Sequence, residues 1–368
     1  MIKVNELPPL FFEGFKIFCP SFEVFLTNKP ITYNFKINTI MKKFITLSML
    51  FVAAIGFAQE DEESKLSVSG SIDAYYQTNL TTSDDLGQSF GTSFANRTGF
   101  ALGMANVIAS YEGEKTGMVA DLVFGPRGVD AAGGDNDLYV NQLYAYWNVS
   151  EGTTLTMGRF NTYLGYEVIS PVGNFNYSTS YLFSSGPFSH LGLKADFALS
   201  DDFSLMLAVM NATDVYDNMT GDYALGAQLG YAGQFLNFYY DNDTVLGFEI
   251  DYTGGFDLSD DFFLGINAAY QTSDDAGFYG AALYPQVAAS ESFTVGLRGE
   301  YFGLHAKDVD DLPSVFAATL TGSYTLENLT IKPEIRLDSW SNDMPYLDSD
   351  AAATDNLAAF TLAAIYSF

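Results

Sequence analysis

The sequence predicts an all-β chain, a transmembrane antiparallel up-and-down β-barrel of about 16 strands over residues 66–368. Three observations carry that prediction. Segments of roughly 8–14 residues alternate apolar and polar side chains, the period of a strand with one apolar face. The connections between them alternate between tight and long. The final segment sets Ala358, Phe360, Leu362, Ala364, Tyr366 and terminal Phe368 on one face.

Taken in order, residues 1–40 show no clear period and hold the single cysteine, Cys19. They read as an upstream extension, with Met41 as the true start. Residues 41–58 read as a signal peptide. Lys42 and Lys43 precede an apolar run from Phe44 to Phe57, and Gly56 and Ala58 supply small residues before a cut after Ala58. The run is too short for a membrane helix, which needs about 20 apolar residues. Residues 59–65 form an acidic periplasmic leader, and the chain beyond is expected in the cell outer membrane.

The expected strands are 66–77, 98–111, 116–125, 138–149, 153–161, 188–199, 202–212, 222–232, 234–241, 244–254, 262–272, 277–287, 291–303, 314–325, 329–338 and 356–368. In the first, Leu66, Val68, Ile72 and Ala74 oppose Ser67, Ser69, Ser71 and Asp73. In 331–338, Ile331, Ile335 and Leu337 oppose Lys332, Glu334, Arg336 and Asp338. Pro333 falls on the apolar face there and weakens the ladder. Tight connections include Ser150-Glu151-Gly152, Ser200-Asp201 and Glu327-Asn328; long ones include 78–97, 126–137, 162–187, 213–221, 304–313 and 339–355. The tight side carries a repeat, Ala198 to Phe203 and Asp257 to Phe262.

Composition removes several classes of function. With 16 basic against 45 acidic residues, net charge −29, and no basic patch, the chain repels phosphates and is not a nucleic-acid binder. One cysteine and two histidines, His190 and His305, leave no disulfide scaffold, thiolate cluster or histidine-rich metal site, so no metal and no cofactor is expected.

In lipid every backbone polar group needs an internal partner, so the sheet must close. Asp73, Lys194, Asp196, Glu249, Asp251, Arg298, Glu300, Lys332, Glu334 and Arg336 share the polar faces of their strands. A packed core would charge several kcal/mol for each of them; a water-filled lumen would not. They are therefore the candidate pore-lining residues.

Thr154 to Ile169, continuing through Asn174-Phe175-Asn176-Tyr177-Ser178, Tyr181-Leu182-Phe183 and Gly186 to Gly192 as far as Asn211, resembles the OmpL-like β-barrel porins of Gram-negative bacteria. The first strand, with Gly70, Asp73, Ala74, Tyr75 and Tyr76, is similar to theirs. The resemblance implies an outer-membrane porin, a passive diffusion channel for small hydrophilic solutes, and assigns no particular solute. By resemblance to general porins, the 162–187 connection folds inward and narrows the lumen, with Tyr163, Tyr166, Glu167, Asn174, Asn176 and Tyr177 as lining residues. The other reading is that it covers the outer mouth. Arg159 is a further lining candidate, although alternation sets it with Leu155 and Met157; a bulge near Gly158 would turn it inward.

Tyr75, Tyr76, Phe100, Tyr111, Trp147, Tyr231, Tyr252, Tyr270, Tyr301, Tyr324, Tyr366 and Phe368 lie near strand ends, as in an interfacial girdle. Tyr366 and Phe368 also resemble the sorting signal read by the barrel-assembly machinery. The loop acids Asp84, Asp85, Asp130, Asp135, Asp137, Asp214, Asp217, Asp308, Asp310, Asp311, Asp348 and Asp350 gather divalent cations, bias the mouth toward cations, or remain solvated. Expected partners are outer-membrane lipid and lipopolysaccharide, small solutes or ions, and two further copies in a homo-trimer. A hydrolase is disfavoured, because Ser189 and His190 are adjacent and point to opposite faces, and neither Gly-x-Ser-x-Gly nor His-Glu-x-x-His occurs. The alternative is a non-conducting structural or adhesive barrel.

Overall fold

The computed structural model describes residues 65–82, 92–132, 139–347 and 353–368, without the side chains of 343–347 and 353. The extension 1–40, the signal peptide 41–58 and all of the leader but Lys65 lie outside the described residues, as do Asp84, Asp85, Asp135, Asp137, Asp348 and Asp350.

The strands are β1 Leu66–Asn79, β2 Gly99–Glu112, β3 Thr116–Phe124, β4 Val140–Ser150, β5 Thr153–Asn161, β6 Ser189–Ala198, β7 Phe203–Met210, β8 Ala224–Tyr231, β9 Gln234–Tyr240, β10 Phe248–Ser259, β11 Phe262–Ser273, β12 Ala276–Ser290, β13 Phe293–Ala306, β14 Ser314–Leu326, β15 Leu329–Leu347 and β16 Ala353–Ser367. They pair in sequence order and close into one antiparallel barrel. The seam joins β1 to β16 from Ser71↔Ser367 to Asn79↔Ala359. Phe368 extends it by exchanging both backbone hydrogen bonds with Gly70, at 3.0 and 3.1 Å.

Alternation holds around the wall. Ile72, Leu102, Met157, Leu193 and Val209 point outward, and Phe100 is 92% exposed. Ser71, Asp73, Asn106, Asp121, Asn237, Asp251, Asn267, Arg298, Glu300, Glu334 and Arg336 are buried on the inside. Outward aromatics form two belts. Tyr111, Trp147, Tyr231, Tyr324 and Tyr366 stand near the tight turns, and Phe100, Tyr240, Tyr270, Tyr301 and Phe316 stand near the long loops. Tyr75 is an exception to the expected girdle. It faces inward, buried, with its ring 5.5 Å from that of Tyr177.

Local chemistry explains where the strands depart from the expected bounds. β10 starts at Phe248 rather than 244, because the Asp241 carboxylate gathers the backbone N–H groups of Thr244, Val245, Leu246 and Gly247 and folds 241–247 as a loop. The repeated hexapeptide has two outcomes: β6 ends at Ala198, whereas β10 runs on to Ser259 through a register shift after Asp257. β15 continues to Leu347, past the expected 338. Pro333 faces outward, and the β14–β15 pairing is interrupted between Thr321↔Glu334 and Tyr324↔Ile331, as a missing N–H requires. The β8–β9 turn sets Ala232 and Gly233 at φ 48° and 79°, and the β11–β12 turn sets Asp274 and Asp275 at φ 48° and 65°. Two consecutive residues at positive φ match the right-handed twist of the hairpins they join.

Two short helices sit in the long connections. α1, Gly125–Ala131, follows β3 and carries Pro126 in its first turn, where no N–H is needed. α2, Tyr181–Ser185, lies in the 162–188 loop and is capped by Ser180, whose side chain accepts from the Phe183 N–H.

Candidate functional site

The loop between β5 and β6 folds inward and crosses the lumen. It leaves the wall at Thr162, whose hydroxyl lies 2.9 Å from His190 Nε2. Tyr163 donates its hydroxyl to the Phe238 carbonyl on β9 at 2.7 Å. The Gly165 N–H reaches Asp251 on β10 at 3.0 Å, and the Tyr166 ring stacks on Tyr284 of β12 at 4.3 Å. Glu167 receives Arg298 of β13 at 2.6 Å. Asn174 closes the turn by bonding both the N–H and the carbonyl of Val168. Asn176 donates to Thr321 of β14 at 2.7 Å.

The far end is held by carboxylates. Glu334 of β15 accepts the N–H groups of Tyr177 and Ser178, at 2.8 and 3.1 Å, together with the Ser178 hydroxyl. Glu300 of β13 accepts the N–H groups of Tyr181 and Leu182, at 3.0 and 2.8 Å. Tyr177 donates its hydroxyl to Asp73 on β1 at 2.5 Å. Burial, reinforced by the Asp73 charge, pushes the Tyr177 phenol above its ordinary value, so it stays a donor. Burial pushes Tyr166 up to about 12.

The cations bind the loop's carbonyl groups. Arg298 gives 2.6 Å bonds to both Glu167 and the Ser178 carbonyl. Arg336 is paired with Asp338 at 2.8 Å and reaches the Thr179 carbonyl at 2.7 Å. Lys332 donates to the Asn174 and Pro171 carbonyls at 2.5 and 3.2 Å.

This corrects one expectation. Most charges on the inner face, Lys194 and Asp196 apart, do not face water; Arg298 and Glu300 are 0% exposed. Their cost is offset another way. A loop inside a barrel has no ladder for its backbone groups, and Asp251, Arg298, Glu300, Lys332, Glu334 and Arg336 supply partners that those groups lack.

The remaining candidates lie apart. Lys194 and Asp196 pair with each other at 2.7 Å on β6, partly exposed. Asp196 lines a cavity of about 240 Å³ with Glu151, Ser204 and Gln228. Glu249 is buried on β10, and its Oε2 has no hydrogen-bond partner among the described residues. Arg159 is buried, but through no bulge, since the β4–β5 register runs unbroken through Tyr144↔Gly158 and Leu143↔Arg159. Gly158 sits at φ +139°. The guanidinium lies 4.1 Å from the Tyr216 ring and donates to the Asn141 and Val215 carbonyls. It is thus held at the long-loop rim. Asp214, expected as a mouth acid, is turned inward and accepts Phe188 N–H, Ser189 N–H and the Ser189 hydroxyl. Ser189 and His190 do not pair. Among the described residues no cluster of three metal-ligating side chains occurs.

Sequence reading missed Arg127. It enters the lumen from α1, bonds the Ile169 carbonyl at 2.7 Å and lies over the Phe94 and Tyr177 rings. It also missed two amide–carboxylate ladders. Asn106 and Asn141 both donate to Asp121, and Asn237 and Asn267 both donate to Asp251. Period-2 alternation places Asn106, Asn237 and Asn267 inward; Asn141 turns inward only at the register shift between Asp121↔Gln142 and Leu122↔Val140, which alternation does not signal.

Beneath the loop, on the tight-turn side, lies a cavity of about 560 Å³ lined by Tyr166, Phe175, Phe263, Gln286, Ser323 and Lys332, among others.

Residues 65–368 match the family described as "Putative beta-barrel porin-2, OmpL-like". No curated protein matches the chain in sequence. Among solved structures it is similar to the outer membrane channel DcaP of Acinetobacter baumannii, with TM-score 0.51 and 14% identity over 82% of this chain and 97% of that one. OmpT of Vibrio cholerae aligns with TM-score 0.48 and 11% identity over 84% and 100%. A mutant Rh. blastica porin aligns with TM-score 0.47 and 15% identity over 82% and 100%. The first of these likenesses supports the fold alone.

Proposed function

The chain belongs to the OmpL-like β-barrel porin family, an outer-membrane family, and on that premise we propose a passive diffusion channel for small hydrophilic solutes, biased toward cations, whose width is set by the 162–187 loop. The observation that carries this reading is the loop itself, tied to β1, β10, β13, β14 and β15 by side chains of the inner wall and to β9 by the Phe238 carbonyl. A structural or adhesive barrel would need no such internal architecture.

The pore-lining role belongs to the inner-face residues that the loop leaves partly open, Lys194 and Asp196, and to the loop's own surface. Exposed acids at the long-loop rim, Asp217, Asp308, Asp310 and Asp311, together with the net charge of −29, support the cation bias. Outward Tyr366 and Phe368 suit recognition by the barrel-assembly machinery, and the exposed apolar wall suits lipid, lipopolysaccharide or two further copies in a trimer. Reversal potential in a planar bilayer under a potassium chloride gradient tests the reading. A cation-selective potential supports it; anion selectivity removes the bias, and a silent bilayer favours the non-conducting barrel.

A further inference from the structure

The cavity on the tight-turn side of the loop has an unusual lining for so acidic a chain. No carboxylate among the described residues contributes to it. Its one charged residue, Lys332, is 4% exposed and already gives two of an ammonium's three N–H groups to the Pro171 and Asn174 carbonyls. Hydroxyls and two amides dominate the rest, from Ser323, Thr325, Thr330, Ser367, Gln286 and Asn174, beside the aliphatic Val172 and Ile365.

Three aromatic rings complete the lining: Tyr166, Phe175 and Phe263. Each lies where the wall carries a glycine. A Cβ on Gly265 would stand 2.3 Å from Tyr166, one on Gly296 would stand 2.4 Å from Phe175, and one on Gly255 would stand 2.2 Å from Phe263. Any larger residue at these three inward positions would displace a ring. The rings are therefore seated against the wall beside a field of hydroxyls.

We propose that this cavity binds a neutral polyhydroxylated solute, a mono- or disaccharide, as it passes the constriction; the inference deepens the porin reading and rests on it. A sugar combines C–H faces, which pack on aromatic rings, with hydroxyls that both donate and accept. An apolar solute would offer nothing to the Ser323 and Ser367 hydroxyls or the Gln286 amide, whereas Thr325 and Thr330 already lie 3.4 Å apart. A cation would meet the Lys332 ammonium, and an anion would find that ammonium mostly spent on the loop. The volume of about 560 Å³ falls within the roughly 300–1,000 Å³ of small-molecule sites.

The test is calorimetric titration of the purified barrel, in a detergent without a sugar headgroup, with maltose, glucose, glucosamine and gluconate, alongside liposome swelling. Saturable binding of maltose and glucose is expected, at least tenfold tighter than that of glucosamine or gluconate. The Phe175→Leu/Phe263→Leu variant, which keeps apolar volume without rings, should weaken glucose binding roughly tenfold. No sugar binding by the native barrel, equal binding of the three monosaccharides, or an unchanged variant would overturn the proposal. Binding without swelling would leave the site standing and remove the porin reading instead.

Discussion

Arg298 has no solvent exposure and divides its guanidinium among Glu167, two loop carbonyls and the Thr319 hydroxyl. Replacing it by Gln leaves the buried Glu167 carboxylate without its counter-charge, held only by the Ser180 N–H and hydroxyl, which costs about 3–5 kcal/mol. Heat-modified mobility should show the Arg298→Gln barrel melting well below the native one. Gly158 is constrained by backbone instead. Its φ is +139°, and a Cβ added there would stand 2.2 Å from the Leu143 carbonyl oxygen. Gly158→Ala should therefore cost at least about 1–3 kcal/mol and lower folding yield. Asp214 carries a pH effect. Burial pushes its carboxyl above the ordinary 3.8, outweighing its donors. The folded state then holds its proton more tightly than the unfolded state, so stability falls as pH rises from that value through the raised one. Asp214→Asn should flatten this slope in melting curves taken across acidic pH. Alternation alone assigns the inner face to Arg298, Glu300 and Glu334. It says nothing of what they touch, because their partners come from a loop more than 100 residues away in sequence.

At the scale of elements, all sixteen strands were legible, since period 2 survives wherever one face meets lipid and the other meets polar groups. Their ends were less so. The 244–247 segment is β-rich in composition, yet the Asp241 side chain outcompetes the ladder for its N–H groups. Loop 162–187 is the element that sequence leaves undecided, because inward and outward positions require the same polar and aromatic residues. Its tethers make a clear prediction. Replacing 166–180 by a short Gly-Ser turn leaves Arg298, Glu334 and Arg336 without the loop partners they now hold, and water must enter to solvate them. The shortened barrel should still fold but melt at a lower temperature, and Glu334→Gln alone should move in the same direction.

The sixteen strands form one closed cylinder, and its seam runs on to Phe368. Phe368 bonds Gly70 through both backbone groups, and its outward ring stands beside the Tyr366 position in the lipid-facing belt. Removing Phe368 should therefore slow assembly more than it weakens the folded barrel, as resolved by comparing folding yield with melting temperature. Apolar outer wall, an interior that mixes charged networks with the buried clusters around Phe160, Met206 and Met210 and around Phe94, Ile169 and Phe183, and the inward loop together define a channel narrowed by its own chain. Single-channel conductance in a planar bilayer, measured on the native barrel and on the barrel with residues 166–180 replaced by a Gly-Ser turn, tests that definition directly. The account predicts a small, stable native conductance that rises several-fold when the loop is removed; identical conductance in the two would contradict it.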